Sequence, residues 1–227
     1  MHIDLTHSSA RLLSRCLLAA ALVTAALAAG TLGFARAAQA ATITVNTTTD
    51  EYNTGPACSL REAIRAANDD AAFGGCPAGS GADTITFGVN GTFLITLSPG
   101  PDENANAAGD FDLLSSMTIQ GNGAANTIVD AGSTDRVFDI SPLGGVNLTV
   151  VFSGLTIRNG KASPSNANVG GGIFINTNAT VTIDSSTLAN NVSQASSAGA
   201  IENRGALTLN SAALQNNTAF GLGGAVN

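Results

Sequence analysis

The 227-residue sequence has no tryptophan, one tyrosine and little charge of either sign, with nine Lys and Arg against sixteen Asp and Glu. Its two histidines, His2 and His7, both stand at the very start. Each shortage excludes something. So few basic residues argue against nucleic acid or an anionic membrane as a partner. The want of histidine beyond position 7 removes the usual catalytic triads and histidine metal sites from the body of the chain. Low charge content can accompany disorder, but Ile, Val, Leu and Phe recur at regular intervals, which argues against it. Glycine, asparagine, serine and threonine are abundant instead, and they suit many short strands joined by tight polar turns.

The first forty residues differ from the rest. Arg11 and Arg15 precede an apolar run from Leu17 to Phe34, and Ala38-Gln39-Ala40 follows as an A-x-A site. That order predicts a secretory signal peptide over residues 1–40. The alternative is an uncleaved anchor, since the run approaches the spanning length of about 18 residues. Cys16 precedes the apolar run, where a lipoprotein cysteine would follow it. No later stretch is apolar enough to span a membrane, so no stable membrane insertion of the mature chain is expected. Without Arg11, Arg15, Arg36 and Asp4, six basic residues face fifteen acidic ones. Such a balance suits solubility or divalent cations.

Cys58 and Cys76 are the cysteines left after the leader. In an oxidising compartment the simplest reading is a disulfide, worth about 3 kcal/mol for a loop of this size. Two buried free thiols are the alternative. Between the cysteines, Ser59 and Glu62 have capping-box spacing, which makes them structural capping groups rather than catalytic ones. Leu60, Ala63, Ile64 and Ala67 then form one apolar helical stripe, with Arg61 and Arg65 off it. This is the one convincing helix in the mature chain.

The run Cys58-Ser59-Leu60-Arg61-Glu62-Ala63 resembles the signature of CSLREA-domain proteins. The likeness continues through Asn68, Gly75-Cys76, Gly81-Ala82-Asp83-Thr84-Ile85 and Gly109-Asp110-Phe111-Asp112 and covers roughly residues 42–120. It implies a bacterial secreted or surface protein whose N-terminal module precedes a right-handed parallel β-helix. A helix laid over the first coil of such a solenoid would cover core and strand edges that otherwise invite aggregation.

Self-similarity supports a solenoid. Val181–Asn191 reappears as Leu207–Asn217, 26 positions on, and Val150–Asn159 is an earlier copy. A glycine-led element returns as Gly172–Asn176, Gly199–Asn203 and Gly224–Asn227, at offsets of 27 and 25. Each copy therefore predicts three short strands whose alternate residues share one face. Asn190-Asn191 and Asn216-Asn217 fall where the chain must turn, which predicts an asparagine ladder. Before residue 150, strands are expected at Thr42–Thr48, Asp83–Phe87, Thr92–Leu97, Met117–Gln120, Thr127–Asp130 and Val137–Ile140, interrupted by a loop from Pro99 to Asp110. The repeats over 117–227 are also similar to those of pectate-lyase-like and polymorphic outer-membrane-protein-like β-helices. The expected fold is therefore all-β, a right-handed parallel β-helix with an N-terminal cap containing one short amphipathic helix. The expected division is 1–40 leader, 41–116 CSLREA-type cap and first coils, and 117–227 repeats. Because the sequence stops at the opening of a new copy, a truncated C-terminus is expected.

No catalytic set stands out. Polysaccharide lyases of this fold, by resemblance, combine a calcium–carboxylate cluster with an arginine base, which singles out Asp184 and Glu202 with Arg158 or Arg204. Glu202 and Arg204 lie two apart and could share a strand face as a plain ion pair. Asp102, Glu103, Asp110 and Asp112 are the better candidate site for Ca²⁺, since hard oxygen ligands on a loop suit that ion. Their spacing fits no EF-hand, and a solvated acidic loop is the alternative. The expected function is a secreted or cell-surface (outer-membrane) bacterial scaffold, non-catalytic, in adhesion to a polysaccharide or to a host or neighbouring cell. The alternative is a polysaccharide lyase or glycoside hydrolase whose site lies mostly outside this sequence.

Overall fold

Thr42-Ile43-Thr44-Val45 alternates polar with apolar. In the structure, a computed structural model, it forms strand β1 (Thr42–Val45) and buries Ile43 and Val45 completely. The structure describes residues 39–98, 103–162, 169–194, 198–221 and 223–227. The leader expected over 1–40 lies almost wholly outside the described residues.

The alternating pattern recurs down the chain, and its copies pair side by side. The largest sheet has six strands: β1, β2 (Asp83–Phe87), β5 (Met117–Gln120), β8 (Leu148–Ser153), β12 (Ala179–Asp184) and β16 (Ala206–Asn210). A second contains β3 (Gly91–Leu94), β6 (Thr127–Asp130), β9 (Thr156–Arg158), β13 (Thr187–Ala189) and β17 (Ala213–Gln215). A third contains β4 (Phe111–Leu113), β7 (Phe138–Ile140), β11 (Ile173–Ile175) and β15 (Ile201–Asn203). A fourth, shorter one contains β10 (Lys161–Ala162), β14 (Val192–Ser193) and β18 (Thr218–Ala219). Neighbouring strands in all four sheets run parallel; from β2 on, successive copies visit the first, second and third sheets in turn, and from β8 on the fourth is inserted between the second and third. Pairing continues from β2 to β5 across residue 117, so cap region and repeats share one sheet.

Register follows the repeat. Val181 stands opposite Leu207 and Ile183 opposite Leu209, as the 26-residue period predicts, and Val150 stands opposite Val181. One alignment is corrected. Ile173 pairs with Ile201, 28 residues on, where the glycine pattern predicted an offset of 27. The physical reason is the face rule, since a slip of one residue turns every side chain over. The shorter offset would set Glu202 beside the fully buried Ile175, whereas the observed one sets it beside Phe174 on the other face. The fourth sheet is a further addition, because two-residue strands are too short to show periodicity. β4, three residues long and directly after the expected loop, is another addition.

Equivalent positions in the six-stranded sheet are Ile43, Ile85, Ile119, Phe152 and Ile183, all buried, and Leu209, which is exposed on the last strand. Their spacing shrinks along the chain, from 42 residues between the first two to 26 between the last two. The early copies therefore obey the same register as the late ones in this sheet, although the helix lies between β1 and β2 and the fourth sheet begins only at β10. Phe138 packs between Phe111 and Phe152, with ring centroids 5.6 and 4.8 Å apart, and ties the third sheet to the first.

Among the described residues, helix α1 (Leu60–Asp69) stands alone. Ser59 caps it, and both halves of the capping box are formed. Leu60, Ala63, Ile64 and Ala67 are buried, as the stripe predicts. The Cys58–Cys76 disulfide is present, with 4.6 Å between Cα atoms.

Candidate functional site

Three places gather polar side chains: the seat of the helix, the outer side of the third sheet, and the outer side of the first.

At the helix seat, the residue that matters most is one off the apolar stripe. Arg61 is fully buried. Its Nε and Nη2 donate to the two carboxylate oxygens of Asp50, at 2.7 and 3.2 Å. Nη2 also donates to the Gly109 carbonyl at 2.7 Å, and the guanidinium lies 4.8 Å from the Phe111 ring centroid. Asp50 in turn accepts from the amides of Thr96 and Leu97, at 2.8 and 3.0 Å, just beyond the edge strand β3. One ion pair thus fastens the helix to the first strands of two sheets. Glu62 accepts from the Ser59 amide, completing the cap, and from Thr54. Asn68 donates to the Asp112 carbonyl at 2.7 Å and accepts from the Leu114 amide at 2.9 Å, extending the edge of β4. Helical periodicity gave Arg61 no role. The available signal was an arginine set directly beside the buried face within the Cys58–Ala63 run.

On the outer side of the third sheet, Asp112, Asp139, Phe174 and Glu202 stand in one column across β4, β7, β11 and β15. Arg136 reaches Asp110 at 3.2 Å and Asp139 at 3.3 Å. Arg136 and Arg204 each lie 5.0 Å from the Phe174 ring centroid, and Arg204 is 3.6 Å from Glu202. Asp112 accepts from the Asn106 amide at 2.8 Å. Burial pushes Asp110 well above the ordinary carboxylate range, against the pull of Arg136, and Asp135, Asp112 and Asp139 add to the rise. Burial likewise lifts Asp112 to about 7, opposed by the Asn106 hydrogen bond and helped by Asp139 and Glu103. A carboxyl group of that kind can hold a proton near neutrality.

The sequence-based candidates are dispersed by these positions. Asp102 lies outside the described residues. Glu103 accepts from the amides of Ala105, Ala107 and Ala108 and so shapes its own loop. Asp110 and Asp112 join the charged column. Among the described residues, no three His, Cys, Asp or Glu side chains gather closely enough to hold a metal ion. Glu202, on β15, and Arg204, just beyond its end, form an ion pair at 3.6 Å. Asp184 belongs to the first sheet, and Arg158 pairs with Asp130 on the second at 2.7 Å. These four residues do not form one cluster.

The asparagine ladder is present. Asn159, Asn190 and Asn216 take the left-handed backbone at successive turns, with φ of 55°, 57° and 52°. The buried Asn191 accepts from the Gly160 amide at 2.8 Å and donates to the Ile157 carbonyl at 3.2 Å and to Asn217 at 3.0 Å. Asn217 donates to the Leu188 carbonyl at 2.9 Å. Gly160 occupies the equivalent position one copy earlier. A Cβ there would stand 1.9 Å from the Gly171 carbonyl oxygen, so a side chain cannot be accommodated.

The outer side of the six-stranded sheet carries short polar groups in straight rows. Thr42, Thr84, Thr118, Val151, Thr182 and Thr208 form one row by register. The hydroxyls of Thr44 and Thr86, in the adjacent row, are 3.1 Å apart.

The chain matches no protein-family model, no curated protein and no solved structure.

Proposed function

We propose that the chain is a right-handed parallel β-helix of the CSLREA type, exported from a bacterium, and that it serves as a non-catalytic surface or secreted scaffold contacting glycans. The observation that carries this reading is the repeated order in which successive copies visit parallel sheets, three from β2 on and four from β8 on, which lays out long, regular faces suited to an extended ligand. Handedness follows the strong preference of parallel crossovers. The Cys58–Cys76 bridge supports an oxidising compartment. The arginines and carboxylates of the helix seat are buried and engaged with one another, which suits frame-holding better than turnover.

A second reading has one observation in its favour. The column Asp112–Asp139–Glu202 with Arg136 supplies a carboxyl group that titrates near neutrality, the kind of group a polysaccharide hydrolase or lyase needs. One experiment separates the two. The exported chain is screened on a glycan array, and the bound polymers are then incubated with it and assayed for new reducing ends or unsaturated products. Binding without products supports the scaffold. Product release that Asp112→Asn abolishes overturns it.

A further inference from the structure

The outer face of the six-stranded sheet is chemically unlike the rest of the molecule. In a chain with 25 charged residues and a net charge of −7, its two central rows hold one charge, Asp184. The first row has threonine at five of its six positions, with Val151 the exception. The second row is Thr44, Thr86, Gln120, Ser153, Asp184 and Asn210, a hydrogen-bonding group at every strand. These side chains are exposed or half-exposed throughout. Parallel strands repeat every ~4.8 Å, so the rows extend over roughly 24 Å. That repeat is close to the advance of one pyranose residue along an extended glycan.

We propose that this face is the glycan-contact surface and that its ligand is an uncharged polysaccharide lying across the strands. The inference rests on the scaffold reading above and gives it a place and a ligand class. Charge decides the class. No Lys or Arg stands on any of the six strands, so a polyuronate would find no counterion there, and Asp184 would repel it. Neutral sugar hydroxyls, by contrast, can both donate to and accept from threonine, serine, glutamine and asparagine. The two rows contain no ring other than the inward Phe152 between them, so stacking contributes nothing. Binding comes from many weak hydrogen bonds in register and therefore strengthens with ligand length.

The test uses the full chain and calorimetric titration with cellohexaose, mannohexaose and xylohexaose, with hexagalacturonate as the acidic counterpart. The face is altered by Thr84→Lys, Thr118→Lys and Thr182→Lys together. A control carries Thr92→Lys and Gln215→Lys, exposed positions on the second sheet. Melting temperature and circular dichroism verify that each variant folds. The expected result is binding to at least one neutral hexasaccharide, weaker binding to its trisaccharide, no binding to hexagalacturonate, and a loss of tenfold or more in the face variant alone. Neutral-glycan binding undiminished in the face variant overturns the placement and leaves the scaffold reading standing. Binding of hexagalacturonate alone overturns the ligand class. No binding to any sugar, here or on a broad array, overturns both. Depression of the freezing point by the wild type and not by the face variant would assign the rows to ordered water instead.

Discussion

Around the helix each polar residue is used once and for a different purpose. Asp50 and Arg61 hold each other, Glu62 closes the cap and Asn68 extends the edge of β4, and no later copy among the described residues repeats the arrangement. Between β8 and β18 the reverse holds. The same turn residue serves three copies and the same ladder residue two, alongside backbone pairing and apolar stacking in one register. Both regions hold parallel strands in one register. They differ in how cohesion is shared. A seat built from single-use contacts has no redundancy, so one lost group strands several others. A ladder spreads its load over equivalent positions.

The contrast is most exposed to attack at Asp50. Its replacement by alanine leaves a buried guanidinium without a counterion and two amides without an acceptor. The expected loss is about 3–5 kcal/mol, read from urea unfolding. Replacing Arg61 by methionine as well should recover a large part, because the cost comes from the orphaned charge. A loss below about 1 kcal/mol for Asp50→Ala would erase the distinction between the regions.

Acidity probes the neighbouring charged column. Asp112 ionises at about 7 when folded against 3.8 for the ordinary group, so the folded state binds the extra proton between those values. Its contribution is fully present below about pH 4 and is lost as pH rises through 7. The difference corresponds to about 4 kcal/mol at most. Unfolding curves from pH 4 to 8 should show this decline in the wild type, and Asp112→Asn should flatten it. A decline that persists in Asp112→Asn would assign the effect to Asp110 and its neighbours.

Opening the Cys58–Cys76 bridge by Cys58→Ala with Cys76→Ala should remove about 3 kcal/mol. Proteolysis should then cut first between residues 50 and 80, leaving the later copies intact. The smallest effect is expected in the ladder. Asn191→Ala strands the Gly160 amide and the Ile157 carbonyl and should cost about 2 kcal/mol. The more exposed Asn217→Ala should cost less. If the two losses were equal, the ladder would owe nothing to burial.

How much of this was legible in the sequence depended on which kind of region carried it. Period-26 copies announced their own register through Val181 and Leu207, since identical environments select similar residues. The capping box, the apolar stripe and the disulfide were readable because each is local or depends on a count of two cysteines. The pairing of Ile173 with Ile201 was misplaced by one residue because adjacent glycines carry no face, and the isoleucines alone decide it. Arg61 with Asp50, and the column from Asp112 to Glu202, were not legible. The column joins residues far apart in sequence, and although Asp50 and Arg61 are separated by only 11 positions, no spacing rule links a loop carboxylate to a helix it meets only after folding. Nearness in sequence singled out the acidic residues of the loop as a candidate ion site. In space Glu103 accepts from its own loop, Asp110 pairs with Arg136, and Asp112 lies within electrostatic reach of both carboxylates.

The shrinking intervals between Ile43, Ile85, Ile119, Phe152, Ile183 and Leu209 have a consequence for how such a molecule can change. Connections grow or contract at the corners while the strands keep their partners. Lengthening a corner loop is cheap, about 0.6 kcal/mol for each doubling. The corners are therefore where foreign sequence can be inserted and inherited without refolding the rest, and a lineage can acquire new surface chemistry there while its frame stays fixed.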